Sequence, residues 1–204
     1  MYSYFNEKTA ANVIKSMIRA KNVREDLRTT WIDDNGRQCA CDGYRAYRIK
    51  APIAGLADAG KTVINLDKIF PQDMGEFKQL DAPTLDELNA LADDDKAHTI
   101  RTRKGQTVYD DDAPRGVYMF GNDEKPVVNL AFLRDMLKLY PDAEIYYKNN
   151  VSILYFKSAG GDGALLPIRY DKPRARRPIP APRTKSKPAA PAFSLAQFAA
   201  RYAM

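Results

Sequence analysis

The chain has 204 residues, 45% of them hydrophobic and 28% charged, which is the balance of a soluble globular protein with room for one ordinary domain or two very small ones. No run of eighteen apolar residues occurs, so no transmembrane helix is expected. The N-terminal MYSYFNEKTAANVIK lacks the regions of a secretory signal, so the cytoplasm is the expected compartment. Charge is uneven: from Asp171 onward there are eight basic residues and one acid, so the net charge of +6 belongs to the tail and residues 1–170 carry one more acid than base.

In chain order, Tyr4-Phe5-Asn6 reads as a strand leading into a helix that contains Val13-Ile-Lys-Ser-Met-Ile-Arg19. On that helix Lys8, Asn12, Lys15 and Arg19 are spaced four, three and four apart, which places them on one face with Ile14, Met17 and Ile18 turned to the core. Leu27–Ile32 and Arg37–Cys41 read as strands about the turn Asp33-Asp-Asn-Gly36, a strong hairpin signal. Cys39 and Cys41 then share a strand face and read as small apolar residues in a reducing compartment. With His98 the only histidine, they lack the further ligands of a zinc site.

Residues 51–116 are less regular. Thr62–Leu66 reads as a strand. Leu85–Leu91 reads as a short helix capped by Thr84 with Glu87 three residues on, and Ala97–Thr102 and Gln106–Tyr109 read as a hairpin. The chain then repeats its opening plan. Met119-Phe120-Gly121-Asn122 leads into a helix with Phe132-Leu-Arg-Asp-Met-Leu-Lys138, followed by the strands Glu144–Tyr147 and Val151–Phe156 about Lys148-Asn-Asn150. The two helical runs match in type at almost every position, and Arg134 and Lys138 fall where Lys15 and Arg19 fall. An internally duplicated α+β domain over residues 1–170 is therefore expected, built from two strand–helix–hairpin halves.

Residues 171–192 hold six of the thirteen prolines and the cations Arg174, Arg176, Arg177, Arg183, Lys185 and Lys187, with too little apolar surface to bury a core. A disordered basic linker is expected there. Residues 193–204 form a short amphipathic segment, with Ser194 as N-cap and Leu195, Phe198 and Tyr202 on one face. It either docks back on its own domain or binds a protein partner.

Catalytic chemistry finds little support. There is no Ser or Cys with an evident base partner. Ser158-Ala-Gly-Gly-Asp-Gly163 lacks the ending of a phosphate-binding loop and reads as a hairpin turn. The triplets Asp93–Asp95 and Asp110–Asp112 could hold Mg²⁺ in a nuclease, but consecutive carboxylates usually splay apart in solvated loops. No cofactor, no metal and no enzymatic activity are expected. The two basic helix stripes are either solvated faces or contacts to a phosphate backbone.

At Ala40-Cys-Asp-Gly-Tyr-Arg-Ala46 the sequence resembles the bacterial sliding clamp family, whose domains carry a strand running into Asp-Gly-His-Arg-Leu-Ala; Tyr44 stands in place of the His. Pro126–Lys138 is similar to the last helix of a clamp's third domain. Val151–Phe156 and Ala164-Leu-Leu-Pro-Ile-Arg-Tyr170 are similar to its closing hairpin. The resemblance implies a duplicated domain whose two helices face duplex DNA, placing Lys8, Lys15, Arg19, Arg134 and Lys138 where DNA passes. A clamp chain has three such domains and two chains close a ring, whereas this chain has room for one. It would surround DNA only as a larger homo-oligomer. The expected function is a non-enzymatic, clamp-like role at duplex DNA in replication or repair, from a phage or mobile element. The alternative is a phage-type interaction protein or inhibitor that uses the fold to bind a host protein.

Overall fold

The computed structural model describes residues 6–101, 107–109, 115–121 and 124–169. The strand expected at Tyr4–Phe5, the triplet Asp110–Asp112 and everything expected of the tail lie outside the described residues. The elements are α1 (Glu7–Ile18), β1 (Trp31–Ile32), β2 (Gln38–Cys41), β3 (Arg45–Ile49), β4 (Lys78–Leu80), α2 (Leu85–Ala97), β5 (Thr99–Arg101), β6 (Thr107–Tyr109), β7 (Val117–Met119), β8 (Val127–Asn129), α3 (Leu130–Leu139), β9 (Glu144–Tyr147), β10 (Leu154–Ser158) and β11 (Gly161–Leu165).

Each helix begins where a polar side chain takes up a free backbone N–H. Asn6 accepts from Thr9 N at 3.0 Å to open α1, and Asn129 accepts from Phe132 N at 3.1 Å to open α3. Thr84 and Glu87 form a reciprocal capping box on α2. On α1 the buried residues are Ala10, Val13, Ile14, Met17 and Ile18, the stripe that a 3.6-residue period places on one face. On α3 they include Leu133, Met136 and Leu137, so Ile14, Met17 and Ile18 have counterparts buried at the matching positions.

Seven strands form one antiparallel sheet in the order β1-β2-β3-β11-β10-β9-β4. Two meanders, β1-β2-β3 and β9-β10-β11, meet along β3 and β11, where Tyr47 lies opposite Gly163 and Ala46 opposite Ala164. Alternation along the strands divides the core. Tyr47, Ile49, Leu154, Phe156 and Leu165 pack with the residues of all three helices on one face. Cys39, Cys41, Ala46, Tyr155 and Ala164 pack on the other with Trp31, Leu66 and Phe70, under Val63, Ile64, Met74 and Phe77. Each large apolar side chain so buried stabilises the fold by about 1.5–3 kcal/mol.

Two glycines of β11 make these layers possible. A Cβ on Gly163 would come 2.8 Å from the Met136 sulfur, so its absence lets α3 lie directly on the strand. Gly161 has φ +149°, and a Cβ there would lie 2.1 Å from the Arg48 carbonyl oxygen.

Several segments differ from the sequence expectation. Thr62–Leu66 is not a strand: Asn65 accepts from Asp67 N and opens a 3₁₀ turn at Leu66–Lys68, with Leu66 buried beneath it. The helix expected over Leu85–Leu91 continues to Ala97, so Asp93–Asp95 sit in its last turns and not in a loop. Val151–Ile153 belong to a turn organised by Asn149 and Ser152, and β10 starts at Leu154. The glycine-rich run is mostly strand. The turn itself is Ala159-Gly160, between Ser158 and Gly161, which pair across the ladder. The last strand ends at Leu165, short of Tyr170.

Candidate nucleic-acid interface and apolar pocket

α1 carries the expected stripe. Lys8, Asn12 and Arg19 are exposed, and Lys15 is half-buried beside them. α3 packs against both α1 and α2. Its cations are less open than those of α1: Arg134 and Lys138 are half-buried, and Arg134 Nε is buried without a hydrogen-bond partner among the described residues. The difference comes from α2, which reaches six residues beyond the expected Leu91 and so brings its acidic triplet into the helix layer. α2 is anchored by the fully buried Leu88 and carries Asp86, Glu87, Asp93, Asp94 and Asp95 against one cation, Lys96. The Asp93 carboxyl is held below its ordinary value chiefly by the Lys96 hydrogen bond, with a smaller attraction from Arg134. The helix layer is thus basic along α1 and acidic along α2, with α3 between the two charges.

The turn between β2 and β3 builds a second feature. The Asp42 carboxylate accepts from the backbone N–H of Tyr44 and Arg45, at 2.9 Å each, and from Arg45 Nε at 3.0 Å. Gly43 supplies the positive φ of +89° that the turn requires. Arg45 continues to Asp135 of α3 at 2.7 Å and lies over the Phe132 ring. With the turn pinned, Tyr44 is held out with 54% of its surface exposed, beside Leu166 at 41%, whose N–H donates to the Tyr44 carbonyl. Between them lies an apolar pocket of about 130 Å³ that also takes in Cys41, Ala46, Ile69 and Ile153. Burial pushes the Cys41 thiol up, and pushes that of Cys39 up to about 12, so both stay protonated and act as apolar packing.

A third cluster lies on the opposite face of the sheet from the helices. The buried Arg48 donates to Asp67 at 2.7 Å and to Asp162 at 2.5 Å, and its guanidinium stacks 4.1 Å from the Phe70 ring centre. Arg37 donates to Asp33 and to the same oxygen of Asp67, both at 2.7 Å, and Lys157 donates to Asp162 at 3.1 Å. Burial pushes the Asp162 carboxyl up, but the hydrogen bonds from Arg48 and Lys157 outweigh it and hold it below its ordinary value.

Among the described residues no cluster of three His, Cys, Asp or Glu could hold a metal, and no helix is long and apolar enough to cross a membrane. Asp94 and Asp95 pair with Arg115. The tail positions Arg174, Arg176, Arg177, Arg183, Lys185, Lys187, Leu195, Phe198 and Tyr202 lie outside the described residues.

No protein-family model and no curated protein match the sequence. Among solved structures, the chain is similar to the C. crescentus beta sliding clamp, crystallised with polyethylene glycol bound in a region described as tethering a beta-motif. The TM-score is 0.50 and the identity 14%, over 82% of this chain and 65% of the clamp chain, which is less than two thirds of its length. At that identity the likeness is one of fold: a large antiparallel sheet with helices on one face gives this chain a clamp-like architecture.

Proposed function

We propose that this chain is a non-enzymatic, clamp-like cytoplasmic protein that works at duplex DNA in replication or repair, with α1 as its principal contact. The observation that carries the proposal is the solvent side of α1. Lys8, Lys15 and Arg19 line it with Asn12, and none of the three cations has an ion-pair partner among the described residues. Cations free of partners give up no internal interaction on meeting phosphates, and they supply sequence-independent affinity. Arg134 and Lys138 extend the contact from α3, weakened by the acids of α2. The matched burial of α1 and α3, each followed by a three-stranded meander, fits an ancestral duplication. Enclosing a duplex would take several copies of a chain this size, and the basic tail would add affinity or recruit a partner. Anisotropy of a labelled duplex tests the proposal: binding should be readily measured at low salt and fall steeply as salt rises. Absence of binding by the full chain at low salt overturns it.

A second reading has one specific observation in its favour. The apolar pocket with the exposed Tyr44 and Leu166 at its rim suits an apolar peptide anchor, since large exposed aromatics beside apolar concavities mark protein docking sites. The clamp structure that the fold resembles holds its polyethylene glycol in a region linked to a beta-motif. On this reading the chain is an interaction protein, including an inhibitor of a host protein, and DNA affinity is dispensable.

A further inference from the structure

The ion-pair cluster on the face of the sheet away from the helices, three cations among three carboxylates, is not used by either reading. It borders a cavity of about 400 Å³ lined by Asn35, Arg37, Arg48, Asp67, Phe70 and Lys157, together with Pro71 and Gln72. That size suits a small polar ligand. Three of its side chains are cations, and each is fixed differently. Arg48 is 6% exposed and is held by Asp162 and by stacking on Phe70, and its Nε has no partner among the described residues. Arg37 is held by Asp33, which also accepts from the Arg37 backbone N–H. Lys157 is held by Asp162.

Asp67 differs from the other two carboxylates. A single oxygen, Oδ1, accepts from both guanidiniums at 2.7 Å, and no bond to Oδ2 is seen among the described residues. Its side chain is 49% exposed, against 12% for Asp33 and 20% for Asp162. It also sits on a one-turn 3₁₀ segment, whereas Asp162 is on β11 and Asp33 is in the turn that joins β1 to β2. Asp33 and Asp162 position the cations, whereas Asp67 occupies the gap between the cations as an exposed monoanion. A tetrahedral dianion with several acceptor oxygens fits a fork of two guanidiniums better than one carboxylate oxygen does. The amides of Asn35 and Gln72 on the rim add further donors.

We propose that this cavity binds a phosphate group, free or as a phosphate monoester, with Asp67 as a resident counter-ion that the ligand displaces. The site lies on the other face of the sheet from α1, so it stands or falls independently of DNA binding.

The test is a titration of the isotope-labelled full chain at low salt, following the Arg side-chain Nε–H signals and the amides of Leu66–Lys68. One arm uses inorganic phosphate and the other adenosine monophosphate. Saturable shifts at these signals are expected in at least one arm, and which arm responds tells a free phosphate from a nucleotide. Asp67→Asn removes the competing charge and should tighten binding roughly tenfold. Arg37→Gln, at a position more open than Arg48 (21% of its side chain exposed against 7%) and chosen because Arg48 variants risk misfolding, should abolish the shifts. The proposal is overturned if neither ligand shifts these signals in the wild type and in Asp67→Asn. It is equally overturned if the shifts survive Arg37→Gln, since they would then arise elsewhere, for example at the cations of the tail.

Discussion

At the scale of single residues, Asp162 ties the two sides of the molecule together. It sits on β11, accepts from Arg48 of β3 and Lys157 of β10, and its carbonyl accepts from the Tyr140 hydroxyl at the end of α3. Its folded carboxyl titrates below the ordinary value despite burial, so around pH 4 the unfolded chain binds more protons than the folded one. The stability this supplies is fully present above the ordinary carboxylate pKa of about 4, and it is lost as pH falls through that value toward the folded one. Asp33, also lowered, acts in the same direction. Urea unfolding should therefore show stability falling from about pH 5 to about pH 3. Asp162→Asn should cost about 2–3 kcal/mol near neutrality, because Arg48 loses a partner in a buried setting, and should make the acid fall shallower. An unchanged acid slope would mean that other carboxylates carry the effect.

At the scale of elements, α1 and α3 share one pattern of buried residues but face different surroundings, and function should separate them. Substituting Lys8, Lys15 and Arg19 together with Gln should weaken duplex binding about tenfold or more at low salt, while Arg134→Gln with Lys138→Gln should weaken it only about two- to threefold. Asp93→Asn, on an exposed position of α2, should strengthen binding about twofold by relieving the field on Arg134. Equal losses from the two helices would show that α2 does not screen α3. The sequence made much of this architecture legible, and the physical reasons divide cleanly. The amphipathic helices α1 and α3, the Asp33–Gly36 turn and the shared strand face of Cys39 and Cys41 announce themselves through local spacing, whereas the Asn129 cap of α3, seven residues beyond Asn122, does not. Thr62–Leu66 misled because its β-branched residues serve to cover Leu66 and Phe70 from outside the sheet, with an Asn-capped turn in place of a ladder. The reach of α2 was hidden because an acidic triplet looks like a solvated loop, yet Leu88 and the capping box hold the helix and Arg115 pairs with its acids. The sites were less legible. The stripe on α1 could be read from period alone, whereas the pocket needs Tyr44 and Leu166, and the cation cluster needs Arg48 and Asp162, brought together by pairing of β3 with β11. Periodicity carries no information about such long-range partners.

At the scale of the whole molecule, the question is how the charge divides between the folded domain and the residues after Tyr170. The tail carries eight cations and the rest of the chain has one more acid than base, so an observed affinity for DNA does not by itself implicate the helices. Salt dependence separates the contributions, because each phosphate neutralised on B-DNA adds about −0.9 to the slope of log K against log salt. A chain ending at Tyr170 that uses only Lys8, Lys15 and Arg19 should give a slope of about −2.7, and one that also uses Arg134 and Lys138 about −4.5. The full chain should be steeper, by up to about −7 if every tail cation engages. Measuring both chains on one duplex, with circular dichroism to verify that the shorter one is folded, gives three distinct outcomes. A slope near −2.7 for the shorter chain supports α1 as the contact and α2 as a screen over α3. A slope near −4.5 supports a contact shared by the cations of α1 and α3. If the shorter chain does not bind at low salt, DNA affinity belongs to the tail alone, the helix contact is wrong, and the apolar pocket becomes the main functional surface of the domain.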